Sequence, residues 1–78
     1  MHYIISGEAV IISREIDDIA HAVIRGDVDI ALSSIYRVEE LIGFLLLDNR
    51  RYEYGSEEEN VLILCLNRLK LLKDELIQ

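Results

Sequence analysis

"YIISGEAVII", residues 3 to 12, admits two backbones, and the fold class turns on which one it takes. β-branched runs flank Ser6-Gly7-Glu8, which is how a short hairpin reads. The same residues also open a helical series. Ile5, Ala9, Ile12, Ile16, Ile19 and Val23 step by four, three, four, three and four, and so share one helix face. Ser6 is a capping residue type, and Ile5 and Val10 have the spacing of a hydrophobic staple. The helix is the preferred reading, with residues 2–5 as an extended lead-in.

Downstream, the periodicity has little competition. Val28, Ala31, Ile35, Val38, Ile42 and Leu45 form one stripe, and Leu62, Cys65, Leu69, Leu72 and Leu76 form another, with no proline to interrupt either. Gly26 is suited to closing one helix and Asp27 to capping the next. Gly55 lets the chain turn, and Ser56 followed by Glu59 has the spacing of a capping box. The expectation is an all-α, single-domain chain over residues 1–78. Its helices fall at about 7–25, 28–49 and 56–77, arranged up-down-up.

Composition bounds what such a domain does. A hydrophobic fraction of 51% in 78 residues is enough to fold, yet small chains bury modest cores unless a disulfide, a metal or a partner helps. Cys65 is the only cysteine, so no disulfide closes within the chain. His2 and His21 lie far from it in sequence and lack zinc-site spacing, so neither metal nor cofactor is expected. That leaves partner subunits. Eight basic residues against fifteen acidic ones, net charge −7, oppose nucleic-acid binding, which depends on cations displacing counterions from phosphates. The longest apolar run, "VLILCL" at 61–66, is far short of a membrane span, and the N-terminal stretch does not read as a signal peptide. A cytoplasmic protein is expected.

Two segments are more apolar than a core-facing helix requires, which is about three positions in seven. "FLLL", 44–47, and "VLILCL" are apolar around their whole circumference. In an up-down-up bundle they sit side by side. Phe44, Leu46, Leu47, Val61, Ile63 and Leu64 are therefore expected to form an oligomer interface, giving a homodimer or larger assembly.

The turn between them, "NRRYEYGSEEEN" at 49–60, gathers the remaining candidates. Tyr3, Arg50, Arg51, Tyr52 and Tyr54 share one end of the expected bundle and are residue types that anchor partners. The plainer account is helix termination: Arg50 and Arg51 suit a helix C-terminus, and Glu57, Glu58 and Glu59 suit the following N-terminus. Those glutamates also repel a phosphate from that helix start. An acidic face is expected from Glu15, Asp17, Asp18 and Glu57–Glu59. Asp17, Asp18 and His21 lack a closing metal ligand, Ser33 and Ser34 lack an activating neighbour, and Cys65 lies on a core stripe.

The chain thus reads as a small, acidic, non-catalytic helical interaction module of the adaptor, regulator or secretion-chaperone type. It would act as a homo-oligomer on an unidentified protein partner. A second reading is an acidic inhibitor, immunity or phage anti-defence protein occupying the basic site of a target. A third is a binder of a small anion or nucleotide between subunits around Arg50, Arg51 and the tyrosines.

Overall fold

The computed structural model describes residues 7–48 and 51–77. The extended lead-in at 2–5, the Ser6 cap, the Ile5 staple, and Tyr3 and Arg50 as partner-binding residues fall outside them. The described residues form helices α1 (Gly7–Arg25), α2 (Val28–Gly43) and α3 (Glu57–Leu76), and none of them is in a strand. Gly7 to Ile12, which a hairpin would need for its turn and return strand, belong to α1. No helix among the described residues is long and apolar enough to cross a membrane.

Each helix packs on both of the others, because each carries one apolar stripe that only the other two can cover. Ile12 and Ile16 from α1, Ile35, Val38 and Ile42 from α2, and Leu62 and Leu69 from α3 are buried in one cluster. Ala9, Ala22 and Ala31 are buried on the same stripes, where small side chains suit close helix approach.

The helix ends follow local chemistry at two points and depart from it at a third. Gly26, at φ +83°, closes α1 in a Schellman arrangement: its N–H donates to Val23 O at 3.1 Å and the Asp27 N–H donates to Ala22 O at 3.0 Å. Ser56 caps α3, its Oγ accepting the Glu59 N–H at 3.2 Å, while Glu59 Oε1 accepts the Gly55 N–H at 2.6 Å. The expected capping box is thus met on one side only: Glu59 reaches the N–H one residue before the cap, while the Ser56 N–H donates to Glu53 O at 3.1 Å. Ser56→Ala should lower stability by about 1 kcal/mol in chemical denaturation, with the assembly state unchanged. Asp27 does not cap α2 through its side chain as expected; it pairs with Arg25 Nε at 3.1 Å instead.

The expected continuous helix over 28–49 is corrected at its end. After Gly43 the chain widens into a π-helical turn, Phe44–Asp48. An i→i+5 turn spreads one revolution over more residues than an α-turn, so neighbours lie closer in angle. Leu45 and Leu46 accordingly both enter the core, leaving Phe44 and Leu47 outside.

Candidate functional site: an open apolar face beside a tethered loop

Part of the exposed apolar surface lies at the seam between α1 and α2. Ile11 of α1, Leu41 of α2 and Phe44 just beyond it are 60%, 43% and 49% exposed. They line an open groove of about 350 Å³ with Glu8 and Arg51 at its rim and Ile12 at its base. A second depression of about 360 Å³ adjoins it, lined by Arg37, Glu40, Leu41 and Phe44.

The expected interface set is divided by the packing. Phe44, Leu47, Ile63 and Leu64 are exposed. Leu46 is corrected to a core residue, turned inward by the π turn, and Val61 is half-buried against the core. The exposed remainder does not gather in one patch. Phe44 faces the α1–α2 groove, whose lining includes no α3 residue, while Leu64 repeats one heptad later as Leu71, an exposed pair on α3.

The loop residues are built into the fold. Glu8, in the first turn of α1, accepts a 2.6 Å hydrogen bond from the Tyr52 hydroxyl on Oε2 and meets Arg51 Nη1 at 2.7 Å on Oε1. The Tyr52 ring is half-buried against the core. One carboxylate thereby fastens the loop to the start of α1, where its charge also complements the helix dipole. Arg51 and Tyr52, expected at a partner surface, are engaged inside the chain, whereas Tyr54 is 84% exposed.

The expected acidic face is similarly broken up. Glu15 and Asp17 face Arg37 and Arg68 at 3.2 and 3.0 Å across helix boundaries. The Arg37 contact lies off the hydrogen-bonding direction, so the buried Glu15 Oε2 is held by charge alone. Glu59 is buried and committed to the cap, a correction to its place on that face. Glu58 is half-buried, and Asp18 and Glu57 remain exposed. A third pair, Lys73 to both carboxylate oxygens of Glu39 at 3.1 and 3.2 Å, joins α3 to α2, with the ammonium 5.4 Å from the Tyr36 ring centroid. These cross-helix pairs have no signature in sequence spacing.

The nucleophile and metal candidates have plain placements. Cys65 is buried, and burial pushes its thiol up; Arg68 offsets this in part and Asp17 adds to it. The protonated thiol is a small hydrophobe in the core. His21 is exposed, and the Ser33 hydroxyl donates to Ile30 O at 3.1 Å. Among the described residues, no three His, Cys, Asp or Glu side chains converge as metal ligands would. Comparison with known proteins places the chain with none of them: no protein-family model matches it, and no curated protein or solved structure is detectably similar.

Proposed function

We propose that this chain is a small non-catalytic interaction module, its helices running up-down-up, that self-associates through exposed apolar surface and binds a protein partner. The observation that carries this reading is the α1–α2 groove, with Ile11, Leu41 and Phe44 left open. The ion pairs support the topology. Glu8 with Arg51 and Asp17 with Arg68 match early with early and middle with middle along α1 and the loop–α3 segment, as parallel helices would. Glu15 with Arg37 fits a reversed α2 between them. The single cysteine suits a reducing, cytoplasmic setting. The acidic-inhibitor reading has less support, since Glu15 and Asp17 are paired and Glu59 is capped inside.

Sedimentation at micromolar concentration tests the reading. The expected mass is at least two chains. Phe44→Glu should shift it toward one chain while far-ultraviolet circular dichroism stays helical, because the ring is half outside the core already. A single-chain mass for the wild type at millimolar concentration would overturn self-association.

A further inference from the structure

The helix α2 carries two heptad stripes. Ala31, Ile35, Val38 and Ile42, continued by Leu45, fill the core. Ile30, Ser33, Arg37 and Glu40 repeat at three, four and three on α2, Phe44 and Leu47 of the π turn follow them at four and three in sequence, and every one of the six is exposed. A second stripe of this kind on a helix whose core face is already covered is the pattern of a helix that packs against another helix from outside.

Its spacing is symmetric end to end, and its central pair carries opposite charges. Measured outward from the midpoint between Val38 and Glu39, Arg37 is matched by Glu40, Ser33 by Phe44, and Ile30 by Leu47. In an antiparallel helix pair, residues equidistant from the crossing point face each other. An isologous interface requires this complementarity, since any residue that meets a given position on the second copy is met by that same position in return. A partner of different sequence has no need of it.

We infer that a second copy of this chain seats on α2, the two α2 helices pairing antiparallel about a twofold axis so that Arg37 of each copy meets Glu40 of the other. This rests on the reading that the chain self-associates and names the surface that does it. Arg37 is 63% exposed beyond its contact with Glu15 and has further N–H donors to offer. Glu40 is exposed and forms no ion pair with another described residue. Phe44 of one copy lies over Ser33 of the other, a large side chain over a small one. Ile30 faces the second copy's π turn, where Leu47 is 80% exposed. Ile11 and Leu41, in the adjoining groove, widen the contact toward the roughly 800 Å² per partner that stable interfaces bury. A net charge of −7 on each copy opposes approach, and the two Arg37–Glu40 contacts are where opposite signs meet.

Charge reversal tests the pairing. Glu40→Arg, which disturbs no ion pair within the described chain, sets arginine against arginine twice and should weaken the dimer roughly tenfold or more in a sedimentation concentration series. Arg37→Glu should do the same by setting glutamate against glutamate. An equimolar mixture of the two variants restores opposite charges at both contacts, and a heterodimer near wild-type affinity is expected. Circular dichroism checks each fold. Arg37→Glu also faces Glu15, so the Glu15→Gln, Arg37→Glu double variant replaces it where the single one does not fold. A wild-type dimer insensitive to Glu40→Arg, or two monomeric variants that fail to associate when mixed, would overturn the α2 pairing and leave self-association elsewhere standing, with Leu64→Glu then the variant that dissociates it. A monomeric wild type overturns both.

Discussion

Ile35→Ala is expected to lower the free energy of unfolding by about 2 to 5 kcal/mol, the range for deleting a fully buried aliphatic side chain whose surroundings only partly relax. Ile35 is wholly inaccessible to solvent at the middle of α2, and belongs to the cluster that joins all three helices. At 78 residues the stability expected for a domain is on the order of 4 to 12 kcal/mol, so one cavity removes a large share of it. Urea denaturation at one fixed protein concentration reads the effect as a lower midpoint with an unchanged slope; the fixed concentration matters because association stabilises by mass action. Ile24→Ala is the paired control. Near the end of α1 and outside the proposed α2 pairing, Ile24 is 83% exposed, and its loss should change stability by no more than about 0.5 kcal/mol. A loss under about 1 kcal/mol for Ile35→Ala would mean that the core is not built on this stripe.

Tyr52→Ala should cost about 2 to 3 kcal/mol, combining lost ring packing with a lost hydrogen bond to a carboxylate. The ring is half-buried on the core and its hydroxyl is 2.6 Å from Glu8 Oε2. Tyr52→Phe separates the two parts, keeping the packing and removing the bond, for about 1 to 2 kcal/mol. Arg51→Gln should cost no more than about 1 kcal/mol, because its pair with Glu8 is half-exposed on the arginine side and screened. The order Tyr52→Ala, Tyr52→Phe, Arg51→Gln in thermal or urea unfolding is the expected signature of a loop stitched to α1. Wild-type stability for Tyr52→Ala would show instead that the loop stands free of α1.

That loop shows where sequence spacing stops being informative. Tyrosine and arginine beside a helix start read as binding chemistry because nothing nearby in the chain engages them. Their acceptor, Glu8, is separated from Tyr52 by 44 positions. Glu59 has the same history on a shorter scale. Its spacing from Ser56 marks a capping box, yet its membership of a glutamate run reads as surface, and packing resolved the conflict by burying the carboxylate against the Gly55 N–H.

The apolar surplus divides along the same line. Four consecutive apolar residues at 44–47 exceed what an α-helix can turn inward, and that excess is visible in composition alone. Which of them stay outside depended on the π turn, a change of backbone that brings Leu45 and Leu46 into the core together and leaves Phe44 and Leu47 to solvent. A widened turn has no sequence pattern of its own here; it forms where the packing gained exceeds the cost of irregular hydrogen bonding.

Sequence by itself determined the three helices, most residues of each core stripe, the helix end at Gly26 and the Ser56 cap, because each depends on interactions that reach no further than a turn or two of backbone; Val28, expected on the α2 stripe, is instead 42% exposed at the first turn of that helix. Only the tertiary structure decided that Glu15 meets Arg37, Asp17 meets Arg68, Glu39 meets Lys73 and Glu8 holds the loop. Those contacts depend on the rotation and axial register of one helix against another, which the close fit of the whole core sets and no local spacing encodes.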